Sequence, residues 1–431
     1  MIKKLYKNNR DALNYFIVVL FQSGLQLLIV PIITALLSTD EYSEYSLANT
    51  IFGILVVITQ FGVLNTYSVL YYKSESKWVL TTNVILIYLL NSIVLSAIFI
   101  AGYYISGIEL LDVNFIIFIL CAVSIEVLFE LFRTNLRLEF LSVKYLYAMI
   151  IKLVGYNALF IYLMYFHEYD GRAKFIGLIC ITALILTAVY ISQREKIKFT
   201  DLNRKLIKEI YRKSSAIAPG QIAKTIQNSF DIFVVFYLIG KTEFALFAIA
   251  IQLSRPLERF SASLMDSYIP QLYKSLSKNE HPSTLDKTNK IKYLLLVGSV
   301  AVVVILFSPL LFQFLVSNEF LREAVVIFPF LIGGRFIYSI AQYHESVIIY
   351  NEKYIYSSIV NIINVLLMIL IFYFFTLKFS VLGIGYAYLL IKMLHYLLIV
   401  MGYKLFDIAV GLKWDHISII VMIMFVFIYH L

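Results

Sequence analysis

The chain has 431 residues, of which 61% are hydrophobic and only 15% charged, with a mean hydropathy of +0.84. That balance excludes a soluble globular protein and defines a polytopic membrane protein. The formal net charge of +9 is accounted for by cations gathered in loops on one side of a bilayer, so nucleic-acid binding is not expected.

Crossing roughly 30 Å of hydrocarbon takes about 20 helical residues, and twelve apolar runs of that size are expected. They are continuous and not alternating, which selects an all-α architecture over a barrel. The first run, 13–37, follows the basic leader MIKKLYKNNRD with no small-residue cleavage site after it, and is read as a retained span. Next come 45–72, 78–103, 113–135, 143–166 and 173–193. After the polar stretch SQREKIKFTDLNRKLIKEIYRKS (192–214), a second set occupies 214–239, 243–271, 291–316, 323–350, 354–375 and 381–404. A last run, 417–429, is short for a span. Cys121 and Cys180 fall in apolar runs without paired spacing and are read as buried, inert thiols. Walker A, GxSxG, HExxH and cysteine–histidine patterns are absent from the sequence, so no catalytic residue, metal or cofactor is expected and the chain is not read as an enzyme.

The polar stretch separates an N-terminal six-helix bundle (1–199), a cytoplasmic linker (200–213) and a C-terminal six-helix bundle with a short apolar tail (214–431). The halves open alike: LSTDEYSEYSLA (37–48) aligns with IGKTEFALFAIA (239–250), pairing Glu41 with Glu243 and Tyr45 with Phe247. Six spans per half make this a parallel repeat, the layout of a rocking transporter. With the N-terminus inside, 25 of the 36 lysines and arginines face the cytoplasm, eight of them between Arg194 and Lys213, and five face outward. Both termini are therefore expected in the cytoplasm, with Tyr42 and Lys241 outside.

Six cations remain within the spans: Lys152, Lys224, Arg255, Arg259, Arg335 and Lys392. Arg255 and Arg259 lie in IAIQLSRPLERFSASLM, too few residues from Phe244 for a helix to have crossed before reaching them. Charge at that depth costs about 2.5–3.5 kcal/mol per residue, so these groups need a wet cavity or a partner. Gln252, Arg255 and Arg259 form a stripe at helical spacing, Pro256 adds an expected kink, and Glu258 is placed to pair with Arg255 at i,i+3. Span seven repeats the pattern with Gln221, Lys224, Asn228 and Asp231. Span four carries Glu126, Glu130, Arg133 and Arg137, which also fits an ion-pair ladder. Arg335 has Ser339 and Gln342 beside it, and Lys392 has His395. The cations are read as substrate-binding groups, and Asp231, Glu258 and Glu126 as coupling or pairing acids.

The opening NYFIVVLFQSGLQLLIVPIITALLSTDEYSEYSLANTIFGIL (14–55), with its polar pair, Pro31, short outer loop and D-E-Y-x-x-Y-S entry into the second helix, resembles the O-antigen (Wzx-type) polysaccharide flippases of the multidrug/oligosaccharidyl-lipid/polysaccharide exporter superfamily. The resemblance extends over all twelve spans. It implies two helical bundles around a cationic cavity in the bacterial inner membrane. It also implies transfer of undecaprenyl-diphosphate-linked oligosaccharide, an O-antigen or similar lipopolysaccharide repeat unit, to the outer leaflet. Its implied partners are the lipid-linked oligosaccharide, membrane lipid and polysaccharide assembly proteins. Two other readings stay open: a cation-coupled drug antiporter of the same superfamily, and an O-antigen polymerase, which would be expected to carry a large outer loop.

The topology is checked with single cysteines in intact cells. An impermeant maleimide is expected to label Lys241→Cys and to leave Lys205→Cys unlabelled until the membrane is opened.

Overall fold

The computed structural model describes residues 2–71, 74, 76–106, 111–167, 169–193, 202–276, 282–351, 353–408 and 412–430. All secondary structure among them is helical. The chain forms two compact units, Met1–Ile226 and Gln227–Leu431.

In the first unit, α1 (Ile2–Leu36) is followed by α2 (Thr39–Gln60) and α3 (Val63–Tyr71). Ser38 and Glu41 start α2 with a capping box, in which Glu41 accepts from the Ser38 backbone N–H at 2.8 Å and Ser38 from that of Glu41 at 3.3 Å. Phe61 and Gly62, both at positive φ, end it and set α3 at 47° to it. Tyr42, in the first turn after the cap, is fully buried. Then come α4 (Lys77–Ser106), α5 (Val113–Leu138), α6 (Ser142–His167) and α7 (Arg172–Gln193). α5 packs against α2, α4, α6 and α7.

α8 (Arg204–Ile239) begins inside the stretch read as a linker. Its first turns rest on the first unit: Ile210 enters the core formed by Val63, Tyr67, Leu80 and Val127. Ser214 donates to Thr66 at 2.9 Å, and Tyr211 to Asn91 at 2.6 Å.

In the second unit, α9 (Lys241–Leu276) stays helical through Pro256. α10 (Pro282–Leu306) and α11 (Ser308–Leu315) are bent by 63°. The short α12 (Glu319–Arg322) and a 3-10 turn lead at 52° into α13 (Phe328–Tyr350). α13 is buried over most of its length and packs against α9, α10, α14 and α15, as a helix at the centre of a bundle must be. α14 (Tyr354–Leu405) joins two spans at Ser380, whose φ of 49° breaks the helix. α15 (Lys413–His430) closes the chain.

Among the described residues, six helices are long and apolar enough to cross a membrane, and the three bent pairs satisfy the same condition jointly. With α14 counted as two, and with α1, α8 and α9 added, these make thirteen: the expected twelve spans of a multi-pass membrane protein, and α15. α8 and α9 are less apolar than the other long helices, and α9 carries Arg255, Glu258 and Arg259 near its middle. α15 is long and apolar enough to be a further span, which run 417–429 alone did not reveal. Cys121 and Cys180 are exposed, correcting their reading as buried: a spanning helix turns an apolar face outward as well as inward.

At the α14 turn, a Cβ on Gly383 would lie 2.0 Å from the carbonyl oxygen of Phe375. Gly383→Ala is therefore expected to destabilise the protein by at least about 1–3 kcal/mol, read as a lower thermal transition in detergent. Gly53→Ala, with nothing within 4 Å of the added carbon, is expected to leave it unchanged.

Candidate functional site

Four of the six intramembrane cations meet in the second unit. Arg255 and Arg259 from α9, Arg335 from α13 and Lys392 from α14 line one cavity of about 310 Å³, with Glu258, Tyr338 and Tyr388. Their convergence follows from helical spacing: Arg255, Glu258 and Arg259 share one face of α9, Arg335 and Tyr338 are one turn apart on α13, and Tyr388 and Lys392 one turn apart on α14. A Cβ on Gly334 would sit 2.7 Å from Cδ1 of Tyr388, so the glycine before Arg335 is what lets this ring lie against α13.

Burial differs among the four cations. Arg335 is 8% exposed and Lys392 5%, and both are held. The Arg335 Nε donates to Ser254 Oγ at 2.6 Å, and its Nη1 forms an ion pair with Glu258. The Lys392 Nζ lies 4.7 Å from the ring centre of Tyr338 and 5.1 Å from that of Tyr388, a cation–π cage that restrains the ammonium. Arg255 is exposed and Arg259 half-buried. The partner the structure gives Glu258 thus comes from α13, not from the neighbouring Arg255 that helical spacing offered. Among the described residues four cations and one carboxylate line the cavity, and guanidinium groups favour bidentate contact with phosphate or carboxylate oxygens.

Among the described residues of the first unit, two charged pairs form within the bundle. Lys152 in the first unit is 5% exposed and donates to both oxygens of Glu126 at 2.7 and 2.6 Å. It also lies 3.9 Å above the ring of Phe129. Glu130 pairs with Arg133. Of the ladder that spacing along span four allowed, Glu130–Arg133 forms, while Glu126 is taken by Lys152 of α6 and Arg137 donates to Thr134. The side chains of Lys224 and Asp231 lie outside the described residues.

The cavity's aromatic residues, and Ser254, were not singled out from sequence. Tyr338 and Tyr388 were hidden among 33 tyrosines, and the detectable signal was the Gly-Gly-Arg step at 333–335, where a small residue precedes an intramembrane cation. A second cavity, about 410 Å³, lies in the first unit and includes Lys77, Trp78, Glu139 and Lys144.

A family model described as polysaccharide biosynthesis protein matches residues 9–276. No curated protein sequence matches the chain. Among solved structures, an inward-facing multidrug resistance MATE family transporter of the MOP superfamily is similar, with a TM-score of 0.66 at 15% identity over 94% of this chain and 98% of that one. The lipid II flippase MurJ in an inward closed conformation has a TM-score of 0.66 at 14% identity, covering 97% of each chain. A MOP superfamily transporter from Pyrococcus furiosus, described as having a binding pocket of reverse polarity, has a TM-score of 0.61 at 12% identity, over 96% of this chain and 95% of that one.

The Arg335–Glu258 pair is tested by a double-mutant cycle. Arg335→Met leaves a carboxylate without its partner and is expected to lower the amount of folded, membrane-inserted protein. The loss is expected to stay below the 3–5 kcal/mol or so of a fully buried pair, because the Glu258 side chain is 36% exposed. Arg335→Met with Glu258→Gln is expected to recover most of it.

Proposed function

Starting from the family of polysaccharide biosynthesis proteins, to which the chain belongs, we propose that it is a flippase in the bacterial cytoplasmic membrane. Its substrate in this reading is an undecaprenyl-diphosphate-linked oligosaccharide, an O-antigen or similar repeat unit, carried from the inner to the outer leaflet. The observation that carries the reading is the cavity of the second unit, where Arg255, Arg259, Arg335 and Lys392 converge and Glu258 is the one acid among the described lining residues.

A diphosphate headgroup brings about two negative charges, which such a cavity accommodates. Arg335 and Lys392 are already restrained, which lowers the entropy lost on binding. Arg255 and Arg259 supply the more accessible guanidinium groups. At about 310 Å³ the cavity lies at the low end of ligand sites, a size suited to a headgroup and not to a whole oligosaccharide. The sugars would occupy water, and the polyprenyl chain would stay in lipid. The chain's own chemistry is then binding and release of the headgroup, with no covalent step.

The drug-antiporter reading draws support from the likeness to the MATE transporter. An organic cation calls for acidic groups, however, and the charge of this cavity weighs against it. The polymerase reading has no support from the family or from the solved structures reported above.

The test is surface polysaccharide per unit of membrane-inserted protein, in a strain lacking the native gene. Arg255→Ala and Arg259→Ala together are expected to lower it at least tenfold at unchanged protein level, and the corresponding Arg→Lys changes to retain part of it. Normal polysaccharide from the double alanine variant would exclude headgroup binding at this cavity.

A further inference from the structure

α13 carries a second ionisable group, nine residues beyond Arg335, that the anion cavity does not use. His344 is fully buried. Its Nε2 lies 3.2 Å from Oδ2 of Asp415 at the start of α15. The same oxygen accepts from Nζ of Lys290, on α10, at 2.5 Å. On the other side of the ring, Nδ1 lies 2.7 Å from the hydroxyl of Tyr403 near the end of α14. That hydroxyl is also 3.1 Å from the backbone carbonyl of His344. Asp415 is 0% and Lys290 5% exposed, so a carboxylate, an ammonium and an imidazole from three helices share one buried site.

The other groups facing the cluster are mostly phenols. Tyr343 of α13 lies beneath Lys290, with its ring centre 5.2 Å away. Tyr396 of α14 meets His344 edge-on at 5.9 Å and also meets His416 of α15 at 6.1 Å. Glu345, next along α13, accepts from Ser357 at 2.5 Å. Glu258 of α9 belongs to the pair with Arg335, and Arg255 and Arg259 to the same cavity.

Counting hydrogens shows what the cluster can hold. A ring nitrogen that faces a carboxylate must donate, so Nε2 carries a hydrogen. Tyr403 has one hydrogen, and both Nδ1 and the backbone carbonyl of His344 lie within its reach. If it donates to Nδ1, His344 is neutral, and Lys290, Asp415 and His344 sum to zero charge. If it donates to the His344 carbonyl, Nδ1 must carry a hydrogen of its own and donate to the Tyr403 oxygen, and the sum is plus one. Both arrangements use the same atoms at the same distances and differ by one proton and one hydroxyl rotation. Oδ1 of Asp415 makes no hydrogen bond, so the carboxylate has capacity to spare for the added charge.

We propose that Lys290, Asp415, His344 and Tyr403 form a proton-binding site, in which Nδ1 of His344 takes up one proton as Tyr403 turns from it to the backbone carbonyl. An N–H bond forms at Nδ1 as one O–H bond of a hydronium ion breaks and releases water; the Tyr403 hydroxyl rotates without breaking its own O–H bond. The site stands on the helices of the second unit alone and is independent of which headgroup the protein carries.

Trp414 precedes Asp415 and is one of only two tryptophans, so Trp78→Phe leaves a single reporter beside the cluster. Purified full-length Trp78→Phe protein is expected to show one step in tryptophan emission between about pH 5 and 8. His416→Gln should keep the step and His344→Gln should abolish it. Tyr403→Phe should move its midpoint down by roughly one pH unit, because the imidazolium loses a charge-assisted bond and the neutral ring a weaker one. A flat response, a step that survives His344→Gln, or a step that vanishes in His416→Gln overturns the proposal. Should His344→Gln fail to accumulate, an unmoved midpoint in Tyr403→Phe overturns it equally. Loss of surface polysaccharide in the Arg255 and Arg259 variants bears on the headgroup reading and leaves this site untouched.

Discussion

A charge buried in a membrane protein must find a partner, and the second unit is organised around that requirement. α13 is buried over most of its length yet carries Arg335 and His344. Neither can reach water by snorkelling from mid-helix. Each is answered by a different neighbour: Arg335 by Ser254 and Glu258 of α9, and His344 by Asp415 of α15 and Tyr403 of α14. Three helices are thereby set in register against α13, and Lys290 adds α10 through Asp415. Apolar packing alone would leave such registers less determined, because lipid tails compete with side chains for the same contacts.

The two units handle their charge differently. In the first, Lys152 with Glu126 and Arg133 with Glu130 close on themselves, and the pairs sit where α5 meets its neighbours. In the second, cations outnumber acids among the described residues of one cavity, and Arg335 and Lys392 are held there by a serine, a carboxylate and two phenol rings. A paired ladder supports a bundle; an unbalanced cluster is costly to maintain without a ligand that redresses it.

Much of the fold was legible in the sequence because the hydrocarbon imposes one rule on every span. A run either reaches about 20 apolar residues or it does not, and the runs 354–375 and 381–404 fall on either side of the break at Ser380. Bends within a span were not legible: the turn at Phe61 and Gly62 depends on two positive φ angles inside an otherwise apolar stretch. The site was half legible. Charge and depth picked out Arg255, Arg259, Arg335 and Lys392, since an unsheltered cation is improbable on energetic grounds. Pairing was not legible, because Glu258 finds Arg335 across 77 positions and His344 finds Asp415 across 71. Periodicity along one helix carries no information about what the next helix presents.

The turn inside α14 bears on how the protein is made. Its two spans are joined at one non-helical residue, Ser380, with Lys378 resting over the ring of Phe379 at 5.3 Å. No loop stands between them to be threaded across the bilayer. The polar load at the tip is one ammonium and the few backbone groups of the turn, so the pair is suited to enter the membrane together as a helical hairpin. An insertion error there would omit both crossings at once and leave the orientation of α15 as it was. Such a molecule would keep its sidedness but lack Tyr388, Lys392 and Tyr403, and would reach the membrane with neither of its two charge clusters complete.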